Sequence, residues 1–198
     1  MPNWCENKIY ISGTKEAVSK VREIFEGDEP FSKIKPEPNY DEVVVPYFNG
    51  VGKEEPEAGR PNAWYDWRIL NWGTKWEPMF DLENISTGAE FFREDEGMLL
   101  IPMETAWSPP EKICEELVKF DGIEKVFLFA YEQASDFIVA IAYEDGDSYE
   151  EVNCTLDHYL ECYEAARDSD DPSYEDRFFL HLEELFAIHE INQEWEDE

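Results

Sequence analysis

The sequence predicts an α+β protein: one sheet with two helices on a face, followed by an acidic helical hairpin. Three observations lead there. Runs that alternate apolar and polar residues are interleaved with stretches of helical spacing, in the order strand, helix, strand, strand, helix, strand, strand. A chain of 198 residues with 42% hydrophobic content can fill one core. The last third then changes character, with 22 acidic residues in positions 130–198 against only Arg167 and Arg177.

Each element has its own signal. In NKIYISG, Ile9 and Ile11 alternate with Lys8, Tyr10 and Ser12, and Gly13 ends the run, as in a half-buried strand. Thr14 can cap a helix in which Val18, Val21, Ile24 and Phe25 fall at helical spacing before Gly27. Residues 28–79 read as a long insertion, broken by prolines and glycines around the apolar run Val43 to Phe48. Phe80 to Ser86 reads as a strand, and Gly97 to Trp107 as its hairpin partner. Ser108 with Pro109 and Pro110 opens a second helix whose buried face is Ile113, Leu117 and Val118. The runs EKVFLFAYEQ and SDFIVAIAYEDG form another hairpin. This order fits a ferredoxin-like sandwich, βαββαβ, with an extra edge strand.

The expected division is therefore a ferredoxin-like domain over 1–147 and an acidic helical hairpin over 148–198 packed on it. In the first tail helix, SYEEVNCTLDHYLECYEAARD, Val152, Leu156, Tyr159, Leu160 and Tyr163 share one side. Asp168 to Ser173 breaks the chain, and a second helix carries Phe178, Leu182, Leu185 and Phe186.

Three motifs occur in order around this pattern: MPNWCEN at the start, WYDWRILNWGTKW at 64–76, and TAWSPP at 105–110. With them the chain resembles the DUF1281 or Api92-like family of phage and plasmid proteins over residues 1–147. The resemblance implies a ferredoxin-like domain and a mobile-element origin, and it brings no catalytic residues. The acidic tail lies outside those motifs.

Composition narrows the function. A formal net charge of -32 repels nucleic acid and anionic membrane and attracts basic partners. The longest apolar runs are strand-sized, so no membrane span is expected. Without a visible signal peptide, and with four scattered cysteines, the expected location is the cytoplasm. There is no phosphate-binding glycine loop, no G-x-S-x-G and no H-E-x-x-H, so no reaction class is indicated and no cofactor is expected.

Two functional readings follow. In the first, Asp157, Glu161, Glu164 and Asp168 recur at three- or four-residue intervals on one helix face, about 6 Å apart. Such a row can engage a basic protein surface, for instance a host nucleic-acid-binding protein, by imitating phosphates. A solvated helix face gives the same pattern. In the second, the core binds a small ligand, or carries an unrecognised activity, in a cleft lined by Trp4, Trp72, Trp76 and Trp107. Asp66, Arg68, Lys75 and Glu104 would be its polar groups. Equally, the tryptophans can be structural anchors that hold the long insertion against the sheet. Cys154, His158 and Cys162, at i, i+4 and i+8, could begin a zinc site with His181 or His189 from the facing helix. They lack a C-x-x-C knuckle, and buried cysteines beside a surface histidine explain them as well, so no metal is expected.

Overall fold

The computed structural model describes residues 3–50, 55–80, 97–132, 134–144 and 147–169, together with Ile85 and Leu180. It is a mixed α+β structure with one five-stranded sheet. The strands are β1 (Trp4–Gly13), β2 (Gly97–Ala106), β3 (Ile123–Glu132), β4 (Phe137–Glu144) and β5 (Asp147–Cys154). The helices are α1 (Lys15–Phe25), α2 (Pro30–Ile34), α3 (Ala63–Trp72), α4 (Glu111–Leu117) and α5 (Leu156–Arg167). The sheet order is β2-β1-β3-β4-β5, with β1 antiparallel to both its neighbours. Links of four and two residues join β3 to β4 and β4 to β5, and connections so short join only antiparallel strands.

The alternation in β1 places Cys5, Asn7, Ile9 and Ile11 in the core. Register continues the rows across the sheet: Ile9 lies between Ile101 and Leu128, and Ile11 between Leu99 and Val126. Each such side chain removed from water contributes about 1.5–3 kcal/mol. Asn7 is the buried polar member of the row, and its amide donates to Cys5 O at 2.7 Å and Thr105 Oγ1 at 2.9 Å. α1 packs against β1 and β2, and α4 against β3; α2 touches both helices, and α3 lies against α4. Thr14 caps α1 by accepting from Ala17 N at 3.3 Å.

Three local expectations change. The tryptophan block, part of the insertion expected over 28–79, is the helix α3 as far as Trp72, bracketed by Asn62 and Gly73 in left-handed conformations. Ser108 does not cap α4; its hydroxyl donates to Gly73 O at 2.6 Å, and Pro110 stands at the cap position. The tail helix does not begin at Ser148, because 147–154 is strand β5 and the helix starts after Thr155, whose hydroxyl accepts from His158 N at 3.3 Å. The extended backbone of a capping residue leaves no room for helix before it. Most of the strand expected at 80–86, and the second tail helix with Phe178, Leu182, Leu185 and Phe186, lie outside the described residues.

The chain divides into two compact units. One comprises Met1–Ser135 with Val139–Val152, the other Asp136–Ile138 with Asn153–Glu198.

Candidate functional site

On α3, Trp64, Arg68 and Trp72 stand at successive four-residue intervals and so share one stripe of the helix. The Arg68 guanidinium lies 5.3 Å from the Trp64 ring centre and 4.6 Å from that of Trp72, between two indole faces. It pairs with Glu37 at 2.5 Å and donates to Lys75 O at 3.2 Å. The Tyr40 hydroxyl donates to the same Glu37 carboxylate. Burial works to raise the Glu37 carboxyl, but hydrogen bonds from Arg68 and Tyr40 outweigh it and leave the group below its ordinary value. Burial and the bond to Glu37 push the Tyr40 hydroxyl well up. Among the described residues, Arg68 Nε is buried without a hydrogen-bond partner.

Trp72 is fully buried, and its indole N–H donates to Lys35 O at 3.0 Å. Gly73 then ends α3 with φ 89°, where a Cβ would stand 2.6 Å from Pro109 O. The left-handed turn and the close approach of the chain before α4 both require glycine. Thr74 donates from its hydroxyl to Ala106 O at 2.9 Å, which fixes the chain leaving α3 to the end of β2.

Beyond that turn, a second aromatic group gathers. Lys75 Nζ is 3.9 Å from the Trp76 ring centre and 5.5 Å from that of Trp107. Trp4 and Trp76 meet with ring centres 6.2 Å apart. Trp76 is 37% and Trp107 48% exposed. Trp107 holds a φ of 74°, unusual for a bulky residue, and its N–H donates to Asn3 O at 3.0 Å. Two positions along β1 from Trp4, on the same face, Glu6 lies directly opposite Glu104. Burial, then the Glu104 charge, raise the Glu6 carboxyl, with Lys8 opposing.

Of the eight residues expected to line a ligand cleft, Trp4, Lys75, Trp76 and Trp107 form this group, with Trp76 and Trp107 exposed and Trp4 and Lys75 half-buried. Arg68 and Trp72 belong to the α3 stripe. Asp66 turns elsewhere: it pairs with Arg60 at 2.6 Å and accepts from Phe48 N at 3.2 Å. Arg60 in turn donates to Val45 O at 3.1 Å and Pro46 O at 3.3 Å and lies 4.3 Å over the Tyr47 ring. Asp66 thus clamps the 45–48 segment. Glu104 stands beside Glu6, and its backbone forms an antiparallel bridge with Met79. Sequence reasoning missed Glu37, Tyr40, Arg60 and Glu6, which reach their partners only through the tertiary fold.

In the second unit, Asp157, Glu161, Glu164 and Asp168 on and just after α5 are all exposed, while Tyr159 and Ala166 are buried. Arg167 pairs with Asp168 at 3.0 Å. Cys154 closes β5 instead of sharing a helix face with His158 and Cys162, so the expected i, i+4, i+8 row is broken. Cys162 Sγ is 3.6 Å from His158 Nε2. The Cys154 thiol is pushed up to about 11 by burial, Cys162 and Asp136. Among the described residues, no group of three or more histidine, cysteine, aspartate and glutamate side chains is placed to hold a metal ion. His181 and His189 lie outside them. No described helix is long and apolar enough to cross a membrane.

No family model and no curated protein matches the sequence. One solved structure is similar: the protein api92 from Yersinia pseudotuberculosis, which carries the family model DUF1281. It is 11% identical, with a TM-score of 0.42, over 79% of this chain and 99% of that one.

Proposed function

We propose that this chain is a non-enzymatic, cytoplasmic interaction protein that engages a basic protein surface through the acidic face of α5. The observation that carries the reading is the exposure of all four carboxylates, Asp157, Glu161, Glu164 and Asp168, opposite a side that buries Tyr159 and Ala166. The helical rise spaces them about 6 Å apart, a row that a phosphate-binding groove can accept. The partner is accordingly a nucleic-acid-binding protein and the tail a mimic of its polyanion, a device suited to a phage or plasmid protein acting on its host. With 48 acidic against 16 basic residues, long-range attraction speeds the encounter.

The scaffold fits a ferredoxin-like sandwich. A β1 that runs antiparallel between β2 and β3 supports that reading, as does the antiparallel bridge of Met79 to Glu104 of β2. A polar cleft for a small molecule has less support, because Asp66 is committed to Arg60.

The test is retention of a basic nucleic-acid-binding protein from host lysate. The intact chain should retain it at low salt, release it at high salt, and lose it to added duplex DNA. The variant Asp157→Asn, Glu161→Gln, Glu164→Gln, Asp168→Asn should not retain it. Equal retention by that variant, or none by the intact chain at low salt, refutes the proposal.

A further inference from the structure

In a protein so rich in carboxylates, Lys75 is placed unusually. Among the described residues it makes no ion pair, and its ammonium rests on indoles, 3.9 Å from Trp76 and 5.5 Å from Trp107. Trp4 adds a third indole against Trp76. Trp76 and Trp107 are among the exposed large hydrophobic residues. On the face of β1 that carries Trp4, Glu6 and Glu104 stand directly opposite one another. Like charges so paired oppose each other, and Lys8 only partly offsets them. Indole faces and surplus carboxylates both select a cation.

We propose that this end of the sheet receives a lysine side chain from a basic polypeptide, and that Lys75 is a tethered stand-in for it. Trp76, Trp107 and Trp4 supply the ring faces, and Glu6 with Glu104 the counter-charge. The inference rests on the basic-partner reading above, but it names residues other than those of the α5 row. An exposed cation–π contact is weak, so an incoming ammonium displaces Lys75 at little cost. While Lys75 occupies the rings, apparent affinity falls by the fraction of time they are free.

The experiment is a tryptophan-fluorescence titration of the full chain with a lysine-rich peptide at moderate salt. Two controls run in parallel: the same peptide with its lysines acetylated, and tetramethylammonium chloride. The lysine peptide should bind saturably, and Lys75→Met should bind it about three- to tenfold more tightly as the internal competitor is removed. Trp76→Ala and the pair Glu6→Gln, Glu104→Gln should each weaken binding about tenfold, and the acetylated peptide should not bind. Circular dichroism checks that these surface variants remain folded. Weaker binding by Lys75→Met, or equal binding of the acetylated peptide, overturns the inference. A response to tetramethylammonium as strong as that to the peptide assigns the site to a free ammonium and overturns the polypeptide source. Peptide binding kept by Trp76→Ala but lost in the four-residue α5 variant refutes this site and leaves the basic-partner reading standing. Binding lost in Trp76→Ala and kept in the α5 variant supports the site independently of that row.

Discussion

The Arg68 guanidinium grips the Glu37 carboxylate at 2.5 Å and so joins α3 to the segment that follows α2. Both side chains are 22% exposed, which sets the pair between a surface ion pair and a buried one. The same guanidinium is sandwiched by Trp64 and Trp72, so it orders indoles and chain together.

Arg68→Lys should therefore cost more than loss of charge implies, because the flat, forked donor is lost while the charge stays. A destabilisation of about 1–2 kcal/mol is expected, measured by urea unfolding. Glu37→Gln should cost about 1 kcal/mol, and a double-mutant cycle should give a coupling of the same order. Additive effects would show that the contact contributes nothing beyond its parts.

Two carboxylates should shape the pH dependence in opposite senses. The folded value of Glu37 lies below its unfolded value, so its contribution is present at neutral pH and disappears as the pH falls through that lowered folded value. Glu37→Gln should flatten the acid limb of a stability profile. Glu6 is raised in the folded state by burial and Glu104, so its ionisation weakens the fold as pH climbs above the ordinary carboxylate value of about 4.3. Glu6→Gln should stabilise slightly at pH 7 and have no effect at pH 3. Melting temperatures across that range, with the two variants moving the same way at pH 7, would contradict the assignment.

The indoles should separate by burial. Trp72 is wholly enclosed and hydrogen-bonded to Lys35 O, and Trp72→Ala should cost about 3–5 kcal/mol. Trp76→Ala, at an exposed position, should cost no more than about 1 kcal/mol. Emission should follow: Trp72→Phe should remove blue-shifted intensity, and Trp76→Phe red-shifted intensity.

The contrast between these indoles also marks the limit of sequence reading. β1 and α1 are legible because their signals are local: Ile9 and Ile11 alternate, and Thr14 caps the turn it precedes. Local signals existed at two misread places as well. Asn62 and Gly73 bracket α3, and Thr155 marks the start of α5, but each of these residue types is as common in turns and loops as at helix ends. Glu37 and Arg68 are a different matter. They sit 31 residues apart, and nothing in either neighbourhood fixes where the intervening segment runs. The grouping of Trp4, Lys75, Trp76 and Trp107 is readable as composition, but its geometry depends on the turn at Gly73 and the positive φ of Trp107.

Asp66 offers the sharpest test of how the long insertion is held. The Asp66 and Arg60 side chains are 9% and 8% exposed, and together they bind Phe48 N, Val45 O and Pro46 O. Replacing one partner strands the other charge away from water, so Asp66→Ala should cost about 3–5 kcal/mol. Arg60→Met should cost less, because its apolar stem still covers Tyr47 while Asp66 keeps the Phe48 N–H. The double change Arg60→Met, Asp66→Leu removes both charges and should recover part of the loss in Asp66→Ala, although the backbone groups of 45–48 then lose their partners. Limited proteolysis should find the 45–48 segment cut faster in Asp66→Ala than in the intact chain. Unchanged cleavage with unchanged stability would mean that this ion pair does not hold the segment.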